Sequence, residues 1–328
     1  SSTMHRRGFR GQSGLTLVEL LIAVAINLFV VLIAAYLYLN GRATQQAIEE
    51  RSAIFENGQL ALELLGKEVG NAGYYPSHMA EPGGPVVVGR GQYVNPKPVV
   101  SAWAHGVFGC LDGYFDGASC QASDATRRGD GLVLNYFTED AMTLAAGTRA
   151  DCQGHAVDNA TDVNTDVRLG AAKDSPNLAP THPLFVSNSY TLTRYDYTLN
   201  SGNTLKTFGL ACRGNGSAAP TYQVLVPGIE QFRVRYGLRD AAGQRAVSYK
   251  DAKGVTESSA VIVNGEAMQG WARVVSIQVC LVARSLTETK LRGVGDETRV
   301  DCEGNVFPSD GVQRRRFEQI FALKNRLS

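Results

Sequence analysis

Three stretches of this chain differ in how apolar and polar positions recur. From Leu15 to Leu39 the residues are LTLVELLIAVAINLFVVLIAAYLYL, apolar on every side of a helix and broken only by the charge of Glu19 and the amide of Asn27. At about 1.5 Å per residue, a helix over this run spans roughly 37 Å, more than the ~30 Å of a hydrocarbon core. Past Gly41 the apolar positions narrow to one face. Ile48, Phe55, Leu62 and Val69 recur every seven residues beside Ala47, Ile54, Ala61 and Leu65, while Glu49, Glu50, Glu56, Glu63 and Lys67 fill much of the remainder. That pattern predicts an amphipathic helix running to about Val69. Gly58 and Gly66 are weak points within it, and Asn71-Ala72-Gly73 followed by Pro76 supplies the stop.

From Gly73 onward the apolar runs shorten and Gly, Pro, Asn, Asp, Ser and Thr are scattered among them. Candidate strands are Val86–Val88, Gly131–Phe137, Ser189–Thr198, Tyr222–Val226, Ile229–Tyr236, Val274–Ala283 and Arg316–Leu323. The later ones alternate clearly. Phe232, Val234 and Tyr236 share a face opposite Arg233 and Arg235, Val275, Ile277, Val279 and Leu281 share another, and Phe317, Phe321 and Leu323 a third. Strands without intervening helices imply a largely antiparallel sheet. Residues 138–185 are polar and read as a loop-rich insertion. No internal repeat is evident. The expected fold is therefore α+β: a long N-terminal helix, residues 15–40 suited to a membrane and 41–70 amphipathic, packed on a β-rich head over 71–328.

Charge adds a direction to this layout. The chain carries 32 Lys and Arg against 31 Asp and Glu, yet residues 1–14 hold Arg6, Arg7 and Arg10 and no acid. Basic residues before an apolar run keep that end in the cytoplasm and send the remainder across, so residues 1–14 are expected inside and the head outside. An ordinary secretory signal fits poorly, because its apolar region is about 7–15 residues with small residues after it. Here Ser13 and Gly14 come before the run. A carboxylate within a membrane helix costs about 2.5–3.5 kcal/mol on insertion scales, which marks Glu19 as a functional candidate unless it sits at the wet interface.

The rest of the chemistry is sparse. Cys110, Cys120, Cys152, Cys212, Cys280 and Cys302 form no CxxC pair and have no histidine at metal-ligand spacing. In an exported domain an even count reads as up to three disulfides, with buried free thiols as the alternative. Proximity favours Cys110 with Cys120, whereas Cys152 with Cys212 and Cys280 with Cys302 are guesses among many connectivities. No GxSxG, HExxH or GxxxxGK motif occurs, so neither an enzyme nor a cofactor is expected. Gly214-Asn215-Gly216-Ser217-Ala218-Ala219 mimics part of a dinucleotide loop but runs into Pro220. His78, His105, His155 and His182 are scattered and read as loop or core residues. Asp162, Asn164 and Asp166 space oxygen ligands as a calcium loop begins, yet Val167 and Lys173 stand where glycine and glutamate belong. A solvated loop is the plainer reading, with a looser calcium site as the alternative. The near-neutral charge gives no reason to expect a nucleic-acid-binding protein, and Arg314-Arg315-Arg316 reads as a set of solvated strand-edge charges.

Gly14-Leu15-Thr16-Leu17-Val18-Glu19-Leu20, with the basic segment before it and the apolar run after it, resembles the processing signal of type IV prepilins. The resemblance implies cleavage after Gly14 by prepilin peptidase, N-methylation of Leu15, and a role for Glu19 in methylation and assembly. Leu15 stands where the family usually has phenylalanine. The physics agrees, since a buried carboxylate needs a cation and the new amine at a neighbouring subunit's Leu15 supplies one. Leu60-Ala61-Leu62-Glu63-Leu64-Leu65 leading to Asn71-Ala72-Gly73-Tyr74-Tyr75 is similar to the helix exit of PilW-type minor pilins. So are Val234-Arg235-Tyr236-Gly237, the stretch from Trp271-Ala272-Arg273-Val274-Val275 to Leu281-Val282-Ala283-Arg284-Ser285, and Phe321-Ala322-Leu323-Lys324-Asn325-Arg326. That likeness implies an inner-membrane precursor with its head in the periplasm, then a pilus subunit on the cell surface that primes or caps assembly. Implied partners are other minor pilins, the major pilin, the peptidase and methyltransferase, the inner-membrane assembly platform and a PilY-type tip adhesin. A type II secretion pseudopilin would share the N-terminal signal. A tip adhesin or DNA-uptake subunit using residues 138–185 is a further alternative.

Overall fold

The computed structural model describes residues 16–74, 86–88, 92–94, 106–138, 149–157, 184–199, 201–217, 219–241, 245–263, 266–287, 300–308 and 310–326. Both apolar stretches of the sequence fall in one helix, α1 (Leu17–Asn71). The chain divides into two units, Ser1–Glu49 and Glu50–Ser328. In the first, the large apolar side chains from Leu17 to Leu39 are all exposed. In the second, Ile54, Ala61, Leu62, Leu65, Val69 and Ala72 of α1 are buried in a core shared with strands. The seven-residue stripe is corrected in part. Ile48 and Phe55 belong to it by spacing but are exposed, and the ring of Phe55 leans instead on Phe317, with centroids 6.1 Å apart.

The helix stops where expected. Gly73 takes φ +74°, the left-handed conformation that ends helices and that a side chain disfavours, and its N–H donates to the Asn135 carbonyl at 2.9 Å. The open carbonyls of the last turn find a donor near the other end of the sequence. Asn325 Nδ2 lies 3.2, 3.3 and 3.2 Å from the carbonyl oxygens of Gly70, Asn71 and Ala72.

Beyond the helix lie β1 (Val86–Val88), β2 (Gln92–Val94), β3 (Val107–Cys110), β4 (Gly113–Phe115), β5 (Cys120–Ala122) and β6 (Arg127–Thr138). There follow β7 (Arg149–Ala150), β8 (Ala156–Val157), β9 (Leu184–Thr198), β10 (Thr204–Gly214), β11 (Gln223–Pro227) and β12 (Ile229–Arg239). Then come β13 (Ala246–Lys250), the short α2 (Ala252–Thr256), β14 (Val261–Val263), β15 (Glu266–Met268), β16 (Val274–Arg284) and β17 (Arg314–Ala322). Five strands pair in the order β11-β10-β9-β6-β3 and four in the order β13-β12-β16-β17. Every described pairing is antiparallel. The α+β expectation holds.

Each candidate strand has an observed counterpart; of the observed strands without a candidate, most are short and β10 is the longest. Its sequence, TLKTFGLACRG, is buried along Gly209-Leu210-Ala211-Cys212 and so lacks polar alternation. Small residues stand there because neighbouring strands come close: a Cβ on Gly209 would lie 2.5 Å from Val224 Cγ1. The same logic explains Gly58 and Gly66 of α1. A Cβ there would fall 2.3 Å from the ring of Phe317 and 2.6 Å from that of Phe321. These glycines are the seats of two β17 aromatic rings.

Candidate functional site

The signals of the sequence are concentrated at the N-terminal segment. Gly14 and Leu15 lie outside the described residues. Thr16 and Glu19 stand at the start of α1 and close a capping box. The Thr16 N–H and hydroxyl donate to Glu19 Oε2 at 2.9 and 3.0 Å, and the Glu19 N–H donates to Thr16 Oγ1 at 3.3 Å. In the single chain, the carboxylate is thus satisfied by its own helix end. From Leu17 to Arg42 the helix is long and apolar enough to cross a membrane, with none of it buried. Arg42 closes this run by placing its guanidinium 5.3 Å from the ring centroid of Tyr38. An arginine on a tyrosine suits the polar boundary of an apolar layer.

Polar side chains also hold the head together, and several were not singled out from the sequence. Asp130 on β6 is buried and accepts from the N–H groups of Val234 and Asp112 at 2.9 and 3.0 Å. Arg233 on β12 donates to it at 3.0 Å and also reaches Asp112 and Glu303. Burial pushes the Asp130 carboxyl above the usual carboxylate range, with those hydrogen bonds and Arg233 pulling the other way. Asn188 on β9 donates to Glu68 of α1 at 2.7 Å and accepts from the Cys152 N–H at 3.0 Å. The candidate strand began at Ser189, one residue short of Asn188, so only the longer observed strand shows this amide buried in a sheet, where it needs specific partners.

The arginine run requires a correction. Arg314 is not a solvated edge charge; it is 7% exposed, donates to Asp310 at 2.7 and 2.8 Å and also reaches Glu230. Burying a guanidinium without such partners would cost several kcal/mol, and two carboxylates offset that cost. Arg315 sits over Phe55 and Phe317, at 5.2 and 5.5 Å, and Arg316 pairs with Glu318 at 3.2 Å.

All six cysteines are paired: Cys110 with Cys120, Cys152 with Cys212, and Cys280 with Cys302, at Cα separations of 5.6, 6.4 and 5.8 Å. Among the described residues no three His, Cys, Asp or Glu side chains gather to hold a metal. The calcium-like segment 162–166 lies outside the described residues, as do His78, His105 and His182. His155 lies on the turn between β7 and β8. The dinucleotide-like segment leaves β10 as a turn that binds inward, its Gly216 N–H donating to Asp151 at 2.9 Å.

Among known families, residues 195–325 fit the model of type IV pilus-assembly protein W. The PilW resemblance read from the sequence is borne out over that stretch, which runs from β9 to the residues capping α1. Among solved structures, a type IV-like pilin from Thermus thermophilus is similar at 12% identity and a TM-score of 0.38, over 83% of this chain and 97% of that one. That likeness is too distant to carry an argument. Among curated protein sequences nothing matches.

Proposed function

We propose that this chain is a minor pilin of the type IV pilus, inserted in the inner membrane as a precursor and then drawn into the filament. The observation that carries this reading is Glu19, the one charge on an exposed apolar helix face from Leu17 to Leu39, on a chain whose residues 195–325 fit the assembly protein W model. Residues 1–14 form the cytoplasmic leader, 15–40 the membrane and filament-core segment, 41–70 the amphipathic segment, and 71–328 the head, in the periplasm and later on the cell surface. Prepilin peptidase cuts between Gly14 and Leu15, and Leu15 is N-methylated.

Assembly follows from the desolvation of Glu19. As apolar helices pack and exclude water, the capping box with Thr16 leaves the charge of the carboxylate uncompensated. The Leu15 amine of a neighbouring subunit then offers a cation at close range. Co-assembly with the major pilin and other minor pilins, on the inner-membrane platform and with a PilY-type tip protein, gives the chain its priming or capping role. Intact-mass and N-terminal analysis of the protein from a host with prepilin peptidase tests the reading. A mature chain starting at methylated Leu15 is expected, and a chain retaining Arg10 and Gly14 would overturn it.

A further inference from the structure

Two five-residue turns in the head are copies of one another, although no repeat stands out in the sequence. Asp151-Cys152-Gln153-Gly154-His155 and Asp301-Cys302-Glu303-Gly304-Asn305 share the order Asp-Cys-x-Gly-x. In the first, Asp151 Oδ1 accepts from the N–H groups of Gln153 and His155, both at 2.9 Å, and in the second Asp301 Oδ1 accepts from Glu303 and Asn305, both at 2.8 Å. The Asp N–H donates to the carbonyl of the fifth residue at 2.9 and 2.8 Å, and the Gly N–H to the Asp carbonyl at 3.0 and 3.2 Å. Gly154 and Gly304 take φ +81° and +87°, a region that calls for glycine. A bridged pair flanks each turn, Ala150 with Ala156 and Val300 with Val306.

The docking sites match as well. The Cys152 N–H donates to Asn188 at 3.0 Å and the Cys302 N–H to Gln231 at 2.9 Å. Each turn cysteine joins a strand cysteine, Cys212 on β10 or Cys280 on β16. Those two stand in one register. Cys212 faces Tyr190, two residues along from Asn188, and Cys280 faces Arg233, two residues along from Gln231. In both copies the strand cysteine is buried and the turn cysteine only half-buried. The third pair divides the same way, with Cys110 buried and Cys120 exposed.

We propose that these turns are entry sites for a protein thiol–disulfide oxidant, with Cys152 and Cys302 as the attacking thiols and Cys212 and Cys280 as the resolving ones. The turn closes on itself within five residues, a short loop that forms early and cheaply, whereas the strand cysteine needs its sheet. The turn thiolate attacks the oxidant's disulfide, forming a mixed disulfide and releasing the oxidant's second sulfur as a thiolate. The strand thiolate then attacks the turn sulfur and expels the oxidant's first sulfur. Two electrons and two protons pass from the cysteine pair to the oxidant, and the disulfide between turn and strand is closed. The inference rests on the head being exported to an oxidising compartment.

Full-length chain in detergent, reduced and then exposed to oxidised glutathione, tests the order. After rapid alkylation and peptide mass mapping, Cys212→Ser is expected to carry glutathione on Cys152, and Cys280→Ser on Cys302. The reciprocal variants Cys152→Ser and Cys302→Ser are expected to carry several-fold less on the strand cysteines. Equal labelling of turn and strand thiols overturns the proposal. Early time points in the unsubstituted chain ask the same question without relying on a variant that folds. Asp151→Ala is expected to slow closure of Cys152–Cys212 several-fold and spare Cys280–Cys302, and Asp301→Ala the reverse. Both pairs slowing alike, or neither, would also overturn it. Labelling reads only the thiol chemistry of the chain, so its failure leaves the N-terminal reading to its own mass measurement.

Discussion

The two ends of α1 share one backbone geometry and differ in nearly everything else. From Leu17 to Leu39 its large apolar side chains are exposed, its polar start is satisfied by Thr16 and Glu19, and Gly41 has open space where a Cβ would be. From Ile54 to Ala72 one face is buried, Gly58 and Gly66 seat aromatic rings, and Asn325 closes the last turn. The lesson concerns what a helix residue is for. In the second half each position is fitted to a partner already present in the chain, so substitutions there should register as stability. In the first half the apolar surface has no such partner among the described residues, so substitutions should register as assembly.

Substitutions in the two halves of α1 test this difference. The largest effect is expected from Glu19→Ala, which should leave leader cleavage and the melting temperature of the head unchanged while removing the protein from pili. Normal recovery in sheared filaments would break the assignment. Phe317→Ala empties the site between Gly58 and Phe55 and should destabilise the head by about 3–5 kcal/mol in denaturant titration. Alanine at the two classes of glycine compares the halves directly. Gly58→Ala should cost about 1–3 kcal/mol by overpacking against Phe317. Gly41→Ala should be neutral or raise helix stability by about 0.5–1 kcal/mol, because nothing lies near its added methyl. Asn325→Ala removes the donor from the end of α1 and should cost about 1 kcal/mol, with faster amide exchange near Ala72.

The smallest effect expected is on pH dependence. Hydrogen bonding by Arg314 holds the Asp310 carboxyl below its ordinary range, and Thr126 does the same for Asp124. A depressed carboxyl contributes stability above its unfolded pKa of about 3.9 and loses it as pH falls through the folded value. Asp130, raised by burial, has the opposite sign, and its contribution is lost as pH climbs past its folded pKa. The depressed groups should prevail, so thermal melts should show the head losing stability below about pH 4. A flat melting temperature from neutral pH to that point and below would remove these carboxylates from the account.

Much of the fold was legible because it is local. A helix announces itself in periodicity, a stop in Asn71-Ala72-Gly73, and a half-buried strand in the alternation of Phe232, Val234 and Tyr236. Strand β10 was illegible because it is covered on both faces and built from small residues, which erases that alternation. Arg314 misled for a related reason. Three consecutive arginines look like surface until Glu230 and Asp310, the first far away in sequence, are found beside the first of them.

By itself the sequence determined the apolar segment and its lone carboxylate, the helix that carries them and the β-rich head, since each depends on neighbours within a few residues. Packing decided where along α1 the apolar stripe becomes buried, which of the possible cysteine pairings forms, why Gly58 and Gly66 are glycines, and that two distant Asp-Cys-x-Gly-x turns dock alike. Each of these is a meeting of residues far apart along the chain. Such a meeting exists only after packing has brought them together, so local pattern can suggest the participants but does not settle it.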